Sequence, residues 1–487
     1  MSARIFLFRG ASALMLSILI AGCMVGPDYR EPDLNAPDSW NGIGASGTNA
    51  GPLDETALSG WWETFGDSEL TSLTNRAIAG NLTLRAAASR LLEARAQRGV
   101  AESELFPTIN ATADATLLGF SKNANTSYST GNIYSGGFDA GWELDLFGGI
   151  RRSVEATDAN VAAKMEKYGD VRVTLLAEVA LNYTEVRAYQ ARLTVAEANL
   201  EAQATTLELV EANVRGGEAS RLDLYQARSN LDNTRSQIPV LQTGISLAQH
   251  RLAVLLGEAP GSMENELHER RPIPIASGNI AVGIPADVLR RRPDVRRAER
   301  ELAAQTAKVG VAVADLYPKL TLTGTIGLES LNFGDLLGSS SSGFLNGTSS
   351  VFYGGPAIQW NIFSAGRVRQ NIAIENARQE QALIAYEATI LNALRDVEDA
   401  LISYGKEMFR RDSLLESEIS TKQSVEVAQG LYKAGETSFL TVLDTQRSLF
   451  QIQDQLTLSN AQVTTNIIML YKALGGGWQE NFQYHEK

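Results

Sequence analysis

The stretch "GFDAGWELDLF" (137–147) alternates apolar side chains with acidic residues or glycine. Its even positions are apolar, and its odd positions include Asp139, Glu143 and Asp145. A period of two residues is that of a β-strand with two unlike faces. The stretch therefore predicts a strand that separates an apolar environment from a polar one.

The same alternation recurs in "PTINATADATLLG" (107–119), "KLTLTGTIGL" (319–328) and "VFYGGPAIQWNIF" (351–363). Asp114 adds a further acid to the polar side of the first of these stretches. We predict strands at about 106–120, 134–147, 317–328 and 351–363, with Ser/Gly/Asn-rich loops at about 119–136 and 329–350. Strands that are apolar outside and polar inside, with aromatic residues near their ends, fit a transmembrane β-barrel. One face of a soluble β-sandwich is the alternative.

Four strands are too few to close a barrel around an aqueous lumen. In lipid every strand edge must also be paired. Several chains are therefore expected to share one barrel. Its lumen would be lined by the four acids on the polar sides of the strands, which are Asp114, Asp139, Glu143 and Asp145.

The chain repeats itself. "GVAESELFPTI" (99–109) matches "GVAVADLYPKL" (310–320), and "LDLFGGIR" (144–151) matches "WNIFSAGR" (360–367). "GGEASRLDL" (216–224) matches "AGETSFLTV" (434–442), at an offset that drifts only from 211 to 218 residues. A long internal period of this kind indicates two copies of one structural unit.

Long helices flank the predicted strands. Apolar residues recur every seven positions from Val179 to Val214, from Leu224 to Leu252 and from Val442 to Leu470. A sustained seven-residue spacing predicts helices that supercoil against their neighbours. A helix over 151–214 would be about 90–100 Å long at 1.5 Å per residue. Pro239 interrupts the return helix and predicts a kink there.

The first residues are typical of an export signal. Arg4 and Arg9 precede an apolar run from Ala11 to Ile20, which is too short to span a bilayer. The run ends in "AGC", and Cys23 is the only cysteine of the chain. The pattern resembles a bacterial lipobox, in which the cysteine is acylated and becomes the new N-terminus. An ordinary cleavage site followed by an incidental cysteine is the alternative.

Composition excludes several classes of protein. The chain of 487 residues carries a formal net charge of −13 and has no basic run, which argues against nucleic acid as a partner. The three histidines are scattered, so no zinc cluster is expected. No nucleophile elbow, phosphate loop or histidine–acid constellation is present, and we expect no enzyme activity.

These observations divide the chain into segments. The predicted boundaries are a signal peptide (1–22), a lipidated extended segment (23–59), a first repeat (60–257), a connector (258–284), a second repeat (285–475) and a tail (476–487). The run Arg290–Arg292 before Pro293 is interpreted as a helix entry with a solvated face.

Several motifs together resemble the TolC-like outer-membrane factors, in particular their OprM/NodT-type lipoprotein branch. They are "VGPDYREP" (25–32), "IPADVLRRRPDVRRAERELAA" (284–304), "LDTQRSLF" (443–450) and "LYKALGGGW" (470–478). The resemblance covers nearly all of the chain after the signal peptide. It implies an α+β membrane protein that forms a homotrimer, with a 12-stranded β-barrel that continues into a long α-helical coiled-coil barrel.

The resemblance also implies a role and partners. The chain would be the outer-membrane exit duct of a tripartite pump and would extend into the periplasm. A periplasmic adaptor would link it to an inner-membrane transporter of the resistance-nodulation-division type. The only attached group would be the lipid on Cys23, held in outer-membrane lipid.

A passive duct needs a gate, and the free ends of the two helical hairpins are the candidates. By resemblance, the periplasmic constriction falls on Tyr432, Leu440, Asp444 and Arg447. Leu440 and Asp444 are four residues apart and share a helix face. Arg447 is expected to pair with an acid across a helix seam. The alternative for Asp444 and Arg447 is an exposed ion pair of little energetic weight.

The hairpin turns are also the expected contacts with the adaptor. Glycines allow the chain to reverse there, and Ser220 and Ser438 are placed to cap the return helices. The candidate contacts are Arg215, Gly217, Glu218, Ser220, Gly435, Glu436 and Ser438.

The leading hypothesis is a duct for drugs or other small toxic compounds. The exit channel of a type I protein secretion system or of a heavy-metal efflux system is the alternative within transport. A purely structural periplasmic coiled coil is a third hypothesis, and the alternating strands argue against it.

Overall fold

The computed structural model describes residues 24–33, 36–42, 55–119, 121, 123, 131–276, 282–338 and 349–478. The predicted signal peptide (1–22), the acylation site Cys23 and the tail beyond Trp478 lie outside these residues. Parts of the two predicted loops and of the connector also lie outside them.

Both halves of the chain contain two helices, two strands and two long helices in this order, with a few short additional elements. In the first half they are α1 (Glu55–Ser59), a 3₁₀ turn (Trp61–Phe65), α2 (Ser68–Gly80), α3 (Leu82–Ser103), β1 (Thr108–Leu118), β2 (Gly131–Leu144), α4 (Gly149–Gly216) and α5 (Arg221–Leu256). In the second half they are α6 (Pro285–Arg291), α7 (Pro293–Ala314), β3 (Lys319–Ser330), α8 (Phe333–Gly338), β4 (Ser350–Gln359), α9 (Arg367–Lys433) and α10 (Phe439–Ala473).

The chain forms two compact units. Unit 1 contains the described residues within Met1–Pro32, Leu91–Ala163 and Ala298–Tyr386, and it holds the sheet. Unit 2 contains those within Asp33–Arg90, Lys164–Arg297 and Glu387–Lys487, and it holds both helical hairpin turns.

The sheet of unit 1 is antiparallel, with the strand order β1-β2-β3-β4. Asp139 lies opposite Asn110 on one side and Thr325 on the other. Paired residues share a sheet face, so the alternation of each strand adds up across the sheet. In this arrangement β1 and β4 each have one neighbouring strand.

One sheet face is polar and the other is apolar. The polar face includes Thr108, Asn110, Thr112, Asp114, Ser135, Asp139, Glu143, Thr321, Thr323 and Thr325. The apolar face carries large side chains that are exposed in the single chain: Ile109, Leu117, Phe138, Leu322, Ile326, Phe352 and Ile358. The four predicted strands are thus confirmed, with the predicted division between the faces.

Two strands end earlier than predicted: β2 ends at Leu144 and β4 at Gln359. Trp360 and Ile362 therefore do not continue β4. The Trp360 indole N–H instead donates to the Leu316 carbonyl oxygen at 3.0 Å. The Trp142 indole makes the corresponding bond to Leu105 at 2.9 Å. Leu105 and Leu316 are equivalent in the two repeats, so both copies anchor a tryptophan at the same point.

The two longest helices, α4 and α9, contain 68 and 67 residues. α4 continues without interruption through 179–214, where the seven-residue spacing predicted a helix, and α9 is its counterpart in the second repeat. α5 runs through Pro239, whose carbonyl oxygen accepts a hydrogen bond from the Thr243 hydroxyl at 2.8 Å. The helix thus continues through the proline, and the kink stays a prediction.

The core of unit 2 brings residues from both ends of the chain together. Trp61 stacks on Tyr471 with ring centroids 5.3 Å apart, and the Gly477 N–H donates to the Leu58 carbonyl oxygen at 3.0 Å. Trp478 packs over Gly169, where an added Cβ would lie 2.7 Å from the indole. Leu58 of α1 is buried in this core. The range 23–59 was predicted to be extended, but its last five residues, Glu55–Ser59, are helical.

Candidate functional site

The acids on the polar sheet face are held by hydroxyl groups. The Asp139 carboxylate accepts hydrogen bonds from Thr112 at 2.9 Å and from Thr325 at 2.7 Å, so it bridges three strands. Asp114 accepts a hydrogen bond from the Ser135 hydroxyl at 2.5 Å. Hydroxyl donors orient these carboxylates and leave their charge uncancelled. The two carboxylates therefore give the polar face a negative electrostatic field.

The other two predicted acids behave differently. Glu143 lies 3.7 Å from the Lys319 ammonium, so its charge is partly balanced. Asp145 was wrongly placed on the strand, because β2 ends at Leu144. Its carboxylate accepts the Arg151 backbone N–H at 2.9 Å and also pairs with the Arg151 guanidinium at 3.3 Å. An acid in this position satisfies a free N–H at the start of α4.

The two hairpin turns of unit 2 share one backbone design. Gly217 and Gly435 have φ values of 80° and 75°, which favour glycine. The N–H of the next residue then bonds back into the helix: Glu218 to Asn213 O at 2.8 Å, and Glu436 to Leu431 O at 2.9 Å. This bonding satisfies the last carbonyl groups of α4 and α9.

The caps of the return helices are not equivalent. Ser220 forms a complete capping box with Asp223, with bonds of 3.2 Å and 3.0 Å. Ser438 also stands at the N-cap, but its side chain makes no capping hydrogen bond, so that prediction was wrong. Three residues later the second copy has Thr441 instead of an acid, and Thr441 accepts a hydrogen bond from Thr437 at 3.2 Å.

The polar residues predicted for adaptor contact are exposed in the chain. They are Arg215, Glu218, Ser220, Glu436 and Ser438. Below them lies a small apolar core between the hairpins, formed by Val210, Ala227, Ala428, Phe439, Val442 and Leu443. We call this set the tip core. It fixes the turns in place and leaves their polar groups in solvent.

The four predicted gate residues do not all lie together. Leu440, with 49% of its surface exposed, and Asp444 stand on the exposed side of α10, one turn apart. Tyr432 packs against the tip core instead, 5.6 Å from the Phe439 ring. Its buried hydroxyl has no hydrogen-bond partner among the described residues.

Arg447 contacts a neutral partner. Its Nε donates to the Asn230 side-chain oxygen on α5 at 3.1 Å, and no ion pair joins it to Asp444 in the described part of the chain. The predicted acid across the seam is therefore wrong, because an amide occupies that place. Nearby, Gln446 donates to the Thr206 hydroxyl at 2.9 Å inside the seam. Gln446 lies four residues after Val442 and thus within the apolar stripe of the helix. A polar residue in such a stripe indicates a buried hydrogen bond, and the sequence analysis did not use this signal.

The arginine run contains a second missed residue. Arg292 is only 7% exposed, which corrects its interpretation as a solvated residue. It donates to the carbonyl oxygen of Ala473 at 2.9 Å and pairs with Asp294 at 2.8 Å and with Asp396 at 3.1 Å. Burial opposes the charged form of Asp294, but the guanidinium outweighs it and holds the pKa of Asp294 below its usual value. Arg292 thus ties α7 to α9 and α10.

The described residues carry no arrangement suited to metal binding. Within those ranges, no group of three or more His, Cys, Asp or Glu side chains is placed to hold an ion. None of the described helices is both long enough and apolar enough to cross a bilayer.

The profile of the outer membrane efflux protein family matches residues 73–258 and 284–476. Two matches in one chain correspond to the internal repeat. Two relatives are each 32% identical to this chain. The cation efflux system protein CusC of Escherichia coli O6:H1 aligns over 475 residues, 96% of this chain and 98% of CusC. The pyoverdine export outer membrane protein OpmQ of Pseudomonas aeruginosa aligns over 489 residues, 98% of each chain.

Solved structures agree with this assignment. The outer-membrane channel OprN superposes with a TM-score of 0.87 at 34% identity, over 94% of this chain and all of OprN. The predicted resemblance is confirmed, as is the α+β fold with four strands, long helices and an internal repeat. The prediction that the chain is not an enzyme is also confirmed. The chain belongs to the outer membrane efflux protein family, and it is an efflux channel of the outer membrane.

Proposed function

We propose that this channel is the exit duct of a tripartite efflux pump, through which small toxic compounds pass passively from the periplasm to the outside. The observation that carries the proposal is the two-faced sheet, with acids on one face and exposed Ile109, Phe352 and Ile358 on the other. Such a sheet suits a wall between lipid and water.

The edges of the sheet support a homotrimer. β1 and β4 each leave one edge without a neighbour in the described chain. Lipid tolerates no unpaired edge, so β4 of one copy would pair with β1 of the next. Three copies then supply a closed 12-stranded barrel, with Asp114, Asp139 and Glu143 toward its lumen. The long helices would continue this barrel as a coiled-coil tube into the periplasm.

The tip of this tube is the proposed gate. Leu440 and Asp444 stand on the exposed side of α10, and three copies would form an apolar ring next to an acidic ring. Rings of this kind hold back ions until the helices move apart. Tyr432 acts differently in this proposal, since it packs within the tip core. Arg447 would stabilise the closed arrangement through its bond to Asn230.

The partners follow from the same region. The exposed polar groups around Gly217 and Gly435 are the proposed contacts with a periplasmic adaptor, which would connect the duct to an inner-membrane transporter. Acylation of Cys23 would add an anchor in outer-membrane lipid, and the duct needs no other attached group. Because CusC belongs to a cation efflux system by its name, metal efflux is the second candidate function.

Restored efflux tests the duct. Cells that lack their own outer-membrane channel would express this chain with a pump and an adaptor, and the measurement is accumulation of a fluorescent pump substrate. We expect lower accumulation with the wild-type chain. Failure of a chain that is present in the outer membrane as a trimer would contradict small-molecule efflux with these partners. Resistance of the same cells to toxic metal cations then tests the second candidate.

A substitution at Asp444 tests the proposed gate. Asp444→Ala removes the acidic ring, and we expect passive entry of a normally excluded ion or dye. Asp412→Ala is the matched control, because Asp412 is an exposed acid on α9 that pairs with the adjacent Arg411. Equal leakage in both variants, or in neither, would contradict a gate at Asp444.

A further inference from the structure

The segment Met24–Asp28 follows the proposed acylation site and lies across the junction of β2 and α4, all within unit 1. It forms no helix or strand. The Val25 N–H donates to the Phe147 carbonyl oxygen at 3.1 Å, and Met24 rests on Gly148, where an added Cβ would lie 2.8 Å from the Met24 Cα. We call Met24–Asp28 the N-terminal strap. Its backbone is held at the base of the sheet.

One arginine of α4 supplies most of the remaining bonds. Arg152 is 2% exposed. Its Nε donates to the Val25 carbonyl oxygen at 3.2 Å, and its Nη2 donates to the Asp28 carboxylate at 2.6 Å. Nη2 also reaches the Gly26 carbonyl oxygen at 3.4 Å, while Nη1 bonds Glu155 at 2.7 Å. The planar guanidinium thus donates to carbonyl oxygens of the strap that would otherwise need a neighbouring strand as partner.

Two glycines let the strap and the arginine pack against the same helix. Gly26 has a φ of 90°, and an added Cβ there would lie 2.5 Å from the Cα of Gly310 on α7. A Cβ on Gly310 would lie 2.8 Å from the Arg152 side chain. Any side chain at either position would therefore push the strap off α7 or displace the guanidinium.

A second contact follows directly after the strap. The Tyr29 hydroxyl donates to the Glu299 carboxylate at 2.8 Å. Burial and the bond to Glu299 raise the pKa of Tyr29, so its hydroxyl keeps the proton that it donates. The chain is thus fastened on both sides of Pro27, which itself offers no N–H group.

We propose that Arg152 is a positioning residue that latches the N-terminal strap to the base of β2 and so fixes where the acylated N-terminus enters the membrane. The inference rests on the proposed acylation of Cys23. One residue spans at most about 3.6 Å, so a lipid on residue 23 begins next to Met24 and hence next to the end of the sheet. The lipid anchor and the sheet then enter the same membrane surface next to each other, in a fixed arrangement. Without the bonds of Arg152, the lipid would still hold the chain to the membrane but would not fix where the N-terminus lies.

Limited trypsin digestion of the full-length protein in opened outer-membrane fragments, where the enzyme reaches the periplasmic side, tests the latch. Arg30 is exposed and follows the strap, so a cut there releases the peptide of residues 23–30. We expect Arg152→Met to raise the rate of this cut at least tenfold, which corresponds to about 1.4 kcal/mol in the opening equilibrium. Arg228→Met is the control, because that exposed arginine pairs with Glu211 on another helix. Cuts in the hairpin turns report general loosening and should keep their wild-type rates.

A second variant changes a residue of the strap and leaves Arg152 in place. Gly26→Ala should raise the same rate without removing any arginine bond directly, and the double variant should add little. Gly261→Ala is its control, since Gly261 has a φ of 96° but nothing near its added Cβ. Unchanged cutting at Arg30 in both latch variants would overturn the inference, as would equal acceleration at every site. The mass of the released peptide shows separately whether Cys23 carries lipid, so an unacylated peptide would overturn the anchor and leave the rates to decide the latch.

Discussion

Replacing Arg292 by methionine tests whether one arginine of the run is a structural joint of unit 2. Methionine keeps the unbranched apolar stem of the side chain and removes all of its donors. The bond to Asp294 at 2.8 Å and the bond to the Ala473 carbonyl oxygen at 2.9 Å are both largely buried. Hydrogen bonds to charged groups contribute about 1.5–3 kcal/mol each, and breaking a buried ion pair costs about 3–5 kcal/mol. The Asp396 carboxylate is 39% exposed, so water replaces much of its bond.

We therefore expect Arg292→Met to lower the free energy of unfolding by about 3 kcal/mol. Arg290→Met is a control in the same run, because that side chain is 66% exposed and 3.8 Å from Asp287. It should cost less than about 0.5 kcal/mol. The measurement is guanidinium unfolding of the purified protein in detergent, followed by helical circular dichroism. Similar losses of unfolding free energy in both variants, or a loss below about 1 kcal/mol in Arg292→Met, would refute the role of Arg292 as a structural joint.

Three further outcomes are expected. The pKa of Asp294 is lower in the folded chain than the ordinary value of an aspartate, so its contribution to stability is complete at neutral pH and is lost as the pH falls through the folded value. An acid titration of unfolding should be flatter in Asp294→Asn, and an unchanged slope would count against the pairing. Ser220→Ala should destabilise its hairpin by about 1 kcal/mol, whereas Ser438→Ala should change little, because only the first serine makes a capping bond; thermal unfolding of the two variants decides this, and equal effects would disprove the asymmetry. Phe439→Ala should empty the tip core at a cost of about 3–5 kcal/mol and speed amide hydrogen exchange in both turns, whereas the exposed neighbour Leu440→Ala should not, so matching exchange rates would argue against a packed tip.

Patterns local in sequence predicted the sheet and the helices well. The strands were visible because their two faces meet unlike surroundings, which leaves a period of two in "GFDAGWELDLF". The end of β4 was missed because Trp360 is apolar and fits the alternation. Its indole N–H finds the Leu316 carbonyl, 44 residues earlier in the chain, and such a partner leaves no mark in a local period.

The site residues show the same limit. Arg290, Arg291 and Arg292 are identical in type, and only the last is buried in this way, because Ala473 arrives from 181 residues away. The repeat suggested equal caps at both turns, yet the change from Asp223 to Thr441 removed one of them. Arg447 was correctly expected to bond across a seam, but the identity of its partner depends on the register of two helices. Register at this level follows from packing and not from periodicity.

The core of unit 2 has a consequence for the order of events during biogenesis. Trp61 and Leu58 lie near the start of the described chain, while Tyr471, Gly477 and Trp478 lie at its end, and these residues pack together. Since synthesis begins at the N-terminus, the early aromatic residues have no finished core until the last few residues have emerged. A chain interrupted between Trp61 and Tyr471 lacks the ring that stacks on Trp61 and leaves this tryptophan open to chaperones and proteases. The buried surroundings of Trp61 are thus completed only after α10 has been synthesised.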